Sequence, residues 1–311
     1  MKNLYRKWIF IVLFLVLIVS CSFSGPKSSD KTVAKPNTAF KVPDIPSVFN
    51  TPEQRIDFLM AHYWDNFNFQ DTTTLKRPQV AEQIFANFLH VLSSVPPEKA
   101  TKGISTLMQK AGVNFNMLQL FQSMGEKYLY DPNSPVRNEA LYCTMLEFYL
   151  SSGLVSDAWK IRPQSQYDLA QKNKVGTSAR DFSFSLKDGS ISSLYDVKSK
   201  FLLLYFHNPG CTDCKIEREK IIASLVMQKL QKEGVLKVLS LYPDKDLTEW
   251  KKYYSELPKN WINGYDKQAR INEEEIYDLK AIPSLYLLNE QKMVLLKDAR
   301  FEEIEAYLSK L

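Results

Sequence analysis

Cysteine is scarce in this chain, with four in 311 residues. That number excludes a scaffold stapled by several disulfides, the usual device of small secreted domains. Histidine is scarcer still, at three, and no second C-x-x-C accompanies Cys211 and Cys214. A zinc centre at that pair would need two more ligands, and only His207 is near in sequence. Forty lysines and arginines stand against 35 acidic residues, but they form no run of the kind that tracks phosphates. Nucleic acid is therefore not an expected partner. No fixed-period repeat emerges either. What remains, 45% hydrophobic and 24% charged residues, is the make-up of a globular protein long enough for two domains.

The start of the chain, "MKNLYRKWIFIVLFLVLIVSC", places Lys2, Arg6 and Lys7 ahead of an apolar run from Trp8 to Val19. That run is roughly a dozen residues, short of the ~20 a helix needs to cross a bilayer. Residues 1–21 read as a signal peptide. Their end, Ile18-Val19-Ser20-Cys21, resembles the lipobox of bacterial lipoproteins. The resemblance implies cleavage before Cys21, lipid on its thiol and attachment to a membrane through that lipid. The competing reading is an uncleaved anchor with an incidental cysteine. Ser22 with no acidic cluster behind it points, by analogy, to the outer membrane and a periplasm-facing protein. In the cell envelope disulfides persist, which gives the remaining cysteine pair its meaning.

Residues 22–46, rich in Ser, Pro, Lys and Asn, read as a flexible tether. From 47 to 172 the pattern is helical. Thr51 supplies an N-cap, Pro52 the first helical position and Gln54 a capping box. Ile56, Leu59, Met60, Tyr63 and Phe67 then recur at helical spacing. Amphipathic stretches follow at about 79–93, 97–111, 114–130 and 135–152, the last expected to be capped by Ser134. This predicts an all-α domain of five to seven helices. Its "HYWDNFNFQD" (62–71) reads as an aromatic core seam, and Cys143 as a buried, inert thiol. That segment resembles an uncharacterised helical domain found ahead of thioredoxin-like domains in bacterial lipoproteins, a likeness of architecture and not of activity.

From 174 to 311 strands alternate with helices. "DFSFSLKDGSISSL" predicts a short hairpin turning at Asp188-Gly189. "KFLLLYFHN" (200–208) is the continuous apolar run of a central strand covered on both faces. A long helix is expected from Cys211 to about Gln231, then a strand at 235–242 and helices at 246–256 and 272–279. Strands at 284–289 and 292–297 and a terminal helix complete an α/β sandwich with a central mixed sheet.

On that layout Cys211 and Cys214 open a helix immediately after a buried strand. Free backbone N–H groups and the helix dipole stabilise a thiolate there, and the i, i+3 spacing brings the second thiol to the first. Cys211 reads as the attacking thiol and Cys214 as the resolving one. A purely structural disulfide closing so short a loop would constrain little of the unfolded chain. Downstream, "KAIPSLYLL" sets Pro283 just before an apolar strand. With the cysteine pair, Pro283 and the opening "GTSARDFSFSL", residues 174–311 resemble the thioredoxin superfamily, and within it the membrane-tethered TlpA/ResA-like thiol-disulfide oxidoreductases. The resemblance implies a cis bond at Pro283, facing the cysteines where substrate backbone pairs. It also implies a proton-exchanging role beside Cys214 for Glu217, whose other reading is a solvated helix carboxylate. Tyr205 stands where thioredoxin has a buried aspartate. Arg180, Gly210 and the stretch Arg218-Glu219 depart from the group's usual proline, aromatic and helix proline.

The expected function is a thiol-disulfide oxidoreductase of the cell envelope. Its substrates would be disulfide-containing envelope proteins, an upstream thiol donor would restore the dithiol, and no cofactor or metal is called for. Reduction is favoured by analogy with the group. Asp213 opposes a thiolate whereas Lys215 and His207 favour one, so the direction of electron flow stays open. Two other readings are a non-catalytic binding lipoprotein that works through its helical domain, and a thiol peroxidase of peroxiredoxin type. Peroxiredoxins usually have Thr where Asn208 stands.

Overall fold

The computed structural model describes residues 40–311, so the signal segment 1–21, the lipidation candidate Cys21 and the tether up to residue 39 lie outside the described residues. The helical region begins with α1 (Pro52–His62), where Thr51 accepts from the Gln54 N–H and the Gln54 side chain answers the Thr51 N–H. It continues through α2 (Pro78–Leu92), α3 (Pro97–Ala111) and α4 (Phe115–Gly125), the last running on as a π-helical turn to Tyr130. Two further helices, α5 (Glu139–Ser151) and α6 (Asp157–Gln171), close the region. Its core is aromatic: Trp64 is buried against Phe67, Phe88 and Phe121 in edge-on contacts that suit the ring quadrupoles.

Two expectations for this region need correction. Residues 40–42, read as part of the tether, pack on the helices instead. The ring of Phe40 sits 5.6 Å from Tyr63 and 6.1 Å from Trp64, and Asn66 donates to the Lys41 carbonyl. An aromatic side chain beside an aromatic seam gains too much by burial to stay in solvent. Ser134 caps no helix, because its hydroxyl donates to the Tyr128 carbonyl and α5 starts later, capped by Asn138. Helix α6 has a weakly apolar sequence interrupted by Pro163, and its periodicity alone did not mark it out.

Seven strands form one mixed sheet in the order β2-β1-β5-β4-β3-β6-β7. They are β1 (Ser183–Ser185), β2 (Ile191–Ser193), β3 (Phe201–Phe206), β4 (Leu236–Tyr242), β5 (Ile262–Tyr265), β6 (Ser284–Asn289) and β7 (Val294–Leu296). Every residue of β3 is buried, between parallel β4 and antiparallel β6. Alternation along β3 sends Leu202, Leu204 and Phe206 to one face of the sheet and Leu203 and Tyr205 to the other. The second face is covered by α7 (Thr212–Ala223), α8 (Leu225–Lys232) and α11 (Phe301–Leu308). The shorter α9 (Leu247–Tyr253) and α10 (Arg270–Glu273) lie in the connections around β5.

The long helix expected over 211–231 is divided at Ser224, whose extended backbone ends α7 and whose hydroxyl caps α8 at the Met227 N–H. The helix expected at 272–279 shrinks to the single turn of α10, since Glu275 takes a left-handed backbone at φ 49°. Residues 40–311 form one compact unit, in which the helical region and the sheet are joined by side-chain bonds such as Asn173 to the Ile276 carbonyl. No helix among the described residues is long and apolar enough to cross a membrane.

Candidate functional site

The chain leaves β3 at Phe206 and turns through Pro209 and Gly210 into α7. Gly210 has φ 73°, a left-handed conformation that costs a side chain but not glycine, and a Cβ there would meet open space. Cys211 is the N-cap of α7 and Cys214 lies in its first turn, the two joined as a disulfide with Cα atoms 5.2 Å apart. Cys211 is half-buried and Cys214 wholly buried. The Sγ of Cys211 accepts from the Cys214 N–H at 3.1 Å. Once the disulfide is reduced, the same donor and the dipole of α7 favour a thiolate on the half-buried Cys211 sulfur.

The register of β3 against β6 delivers the second half of the site. Phe206 pairs with Ser284, so the end of β3 and the start of β6 lie side by side. The residues just before β6 therefore reach the cysteines. The Ile282–Pro283 peptide bond is cis, and the Ile282 carbonyl oxygen lies 3.7 Å from Cys211 Sγ across 71 residues of sequence. Pro283 is half-buried, and among the described residues the Ile282 amide and carbonyl make no backbone hydrogen bond.

Glu217 follows Cys214 by one turn of α7, but its carboxylate is engaged elsewhere. Oε1 accepts from the Phe301 N–H at 3.1 Å, at the first turn of α11, and Oε2 lies 3.2 Å from the Lys220 ammonium. Its side chain is mostly buried, so it is not a solvated helix charge, and it ties α7 to α11. Tyr205, in the place of a buried aspartate, donates its hydroxyl to the Cys214 carbonyl at 2.6 Å. Burial pushes that phenol far above its ordinary range, so it remains a donor at any working pH.

His207 does not help a thiolate, contrary to expectation. It is fully buried, stacked on Tyr205 with ring centroids 4.9 Å apart, and its Nε2 lies 2.7 Å from the Ser240 hydroxyl. Desolvation first, and the Arg218 guanidinium second, bring the imidazole down to about 3, so it is neutral at physiological pH. The buried cation of this face is Arg218, on the same side of α7 as Cys214. Its guanidinium bonds the Tyr253 hydroxyl, stacks 5.0 Å from the Tyr253 ring and lies 3.3 Å from Glu256. The cation in "KIERE" that points inward is thus the arginine. Its i+4 spacing from a buried cysteine was the only signal in sequence. Lys215 and Asp213 are both exposed.

Among the described residues, no group of three or more His, Cys, Asp or Glu side chains converges as metal ligands would. Cys143 is half-buried and free, and burial pushes its thiol up to about 11. The arrangement around Cys211 can pass between disulfide and dithiol, with one cysteine half-buried, one enclosed, and the backbone groups of Ile282, free of backbone partners, beside the half-buried one.

The chain matches DUF5106, a domain of unknown function, over residues 20–173, the stretch that contains all six helices of the helical region. No curated protein matches it. Among solved structures it is similar to a thioredoxin-like protein from Bacteroides caccae, at 44% identity and a TM-score of 0.84, covering 87% of this chain and 98% of that one. It is also similar to the C-terminal domain of an uncharacterized protein from Bacteroides fragilis, at 44% identity over 44% of this chain and 98% of the other, with a TM-score of 0.44. The thioredoxin domain of a thiol-disulfide oxidoreductase from Bacteroides vulgatus aligns at 21% identity over 44% of this chain and 96% of the other, with a TM-score of 0.39. An identity of 44% over nearly the whole length of the Bacteroides caccae protein is a relationship of family, and the chain belongs to the thioredoxin-like proteins.

Proposed function

We propose that this protein is a thiol-disulfide oxidoreductase of the cell envelope that reduces disulfides in envelope proteins. The observation that carries the reading is the accessible Cys211 sulfur. It sits at a helix N-terminus, beside enclosed Cys214, and faces the backbone before Pro283 at 3.7 Å. In the reduced protein the Cys211 thiolate attacks one sulfur of a client disulfide, forming a mixed disulfide and releasing the other client sulfur as a thiolate. Cys214 then attacks Cys211 Sγ, expels the second client thiol and restores the 211–214 disulfide. The client gains two electrons and two protons, and a dithiol donor upstream must return them to the cysteine pair. Placement in the envelope, with a lipid on Cys21 and the folded part facing the periplasm, is supported by the pattern of residues 1–21.

A Cys214→Ala variant expressed in cells tests the reading, because a mixed disulfide on Cys211 can then no longer be resolved. Covalent complexes with a limited set of envelope proteins, released by dithiothreitol, are expected on non-reducing gels. The proposal fails if no such complexes form and the purified wild-type protein neither reduces nor oxidises a model disulfide.

A further inference from the structure

The loop that carries Pro283 is held from both sides by ion pairs whose other halves belong to the helical region. On the near side, Lys280 Nζ lies 2.9 Å from Glu139 and 2.8 Å from Asp278, and stands 4.3 Å over the ring of Tyr130. Glu139 is the first residue of α5, where unpaired N–H groups favour a carboxylate, and it also meets Lys297 Nζ at 2.7 Å. On the far side, Arg137 pairs with the Asp298 carboxylate at 3.0 Å and donates to the Asp298 carbonyl. Asp298 in turn lies 3.4 Å from the Ser284 hydroxyl, which closes back on the Ala281 carbonyl at 2.8 Å. Residues 280 and 284 thus bracket the cis bond, and each is tied to the loop and first turn around 137–139.

These charges are largely out of water: the side chains of Lys280, Lys297 and Asp298 are 8%, 5% and 14% exposed. Burial alone would pull the Lys280 ammonium down, but the carboxylates of Glu139 and Asp278 more than reverse it, so the cation persists. Buried ion pairs of this kind add little net stability, because desolvation offsets most of the Coulomb attraction. What they do impose is geometry, since a misplaced partner leaves a charge stranded. The backbone of 281–283 lies outside the sheet ladder, so side-chain anchors must set its distance from Cys211.

We propose that Arg137 and Glu139 are positioning residues for the cis-proline loop, which makes the helical region part of the machinery that recognises disulfides carried on a polypeptide. The inference rests on the oxidoreductase reading above. A polypeptide needs the backbone of 281–283 in place to dock, whereas a small aromatic disulfide needs only the accessible sulfur of Cys211.

The test uses the full chain with Glu139→Gln and Arg137→Met, singly and together. Reduced protein is reacted with insulin as a polypeptide disulfide and with 5,5′-dithiobis(2-nitrobenzoate) as a small one. The reduction potential is measured against glutathione. The rate constant for insulin is expected to fall roughly five- to twentyfold, with the small-disulfide rate and the equilibrium constant with glutathione within about twofold of wild type. If a single variant does not fold by near-ultraviolet circular dichroism, Glu139→Gln with Lys297→Met removes the carboxylate together with the cation it would strand. The same comparison is then made on that pair. Folded variants that keep the wild-type insulin rate, or that lose both rates equally, overturn the positioning role. Wild-type protein inert toward both disulfides overturns the oxidoreductase reading itself.

Discussion

Acidification from about pH 7.5 to about pH 5 is expected to remove about 2 kcal/mol of stability through His207 alone. The imidazole is enclosed by Tyr205, Tyr253, Ser240 and Arg218, its Nδ1 has no hydrogen-bond partner, and it is held at about 3 in the folded protein against an ordinary 6.5. Above the ordinary value the ring is neutral in both states and costs nothing. Below it the unfolded chain takes up a proton that the folded protein refuses, so stability is lost as pH falls from 6.5 towards 3. Near pH 5 the unfolded ring is almost fully protonated and the folded ring almost not at all, a gap worth about 2 kcal/mol, growing towards about 5 kcal/mol near the folded value. Urea titrations of wild type and His207→Gln at both pH values measure it, since glutamine can keep a bond to Ser240 and does not titrate. The other histidines, His62 and His90, are common to both proteins and cancel. The variant's pH-dependent loss is expected to be smaller than wild type's by that amount. Equal losses in the two proteins would refute the reasoning, as would a His207 ring that titrates near its ordinary value in a folded-state NMR experiment.

Further outcomes follow from the bonds around the cysteine pair. Tyr205→Phe deletes the hydroxyl that holds the Cys214 carbonyl and is expected to cost about 1 kcal/mol in urea unfolding. Glu217→Ala strips an acceptor from the first turn of α11 and is expected to cost about 1 kcal/mol as well. The rate of the reduced variant with a small disulfide should stay near wild type. A rate loss of about tenfold or more with stability intact would instead give that carboxylate to proton transfer at Cys214. The trapping experiment with Cys214→Ala and the paired-disulfide comparison for Arg137 and Glu139 complete the set.

Much of the fold was legible where neighbours in sequence decide the structure. The Thr51 and Gln54 capping box, the apolar run of β3 and the helix opened by Cys211 all rest on interactions within a few residues. The misses share a different cause. Ser224 divides the helix after the cysteines because its hydroxyl caps α8 while also donating to Glu305 on α11, a contact 81 residues away. Strand β5 is only four residues long, with Gly264 packed under the Phe184 ring, and takes its place from parallel β4 and antiparallel β1. A strand that short has too little periodicity of its own to announce itself.

The same division runs through the site. Sequence alone determined that two thiols one helical turn apart follow a buried strand, an arrangement that predicts dithiol chemistry because spacing and helix dipole act locally. It also placed a proline before an apolar strand. Only the tertiary structure decided what surrounds the sulfurs. It showed His207 to be neutral and Arg218 to be the buried cation, because desolvation depends on β4, α9 and the sheet packed around them. It bonded Glu217, read either as a proton partner of Cys214 or as a solvated carboxylate, to the first turn of α11. And it brought Arg137 and Glu139 against the loop of Pro283, more than 140 residues downstream, through ion pairs that no local pattern in either segment records.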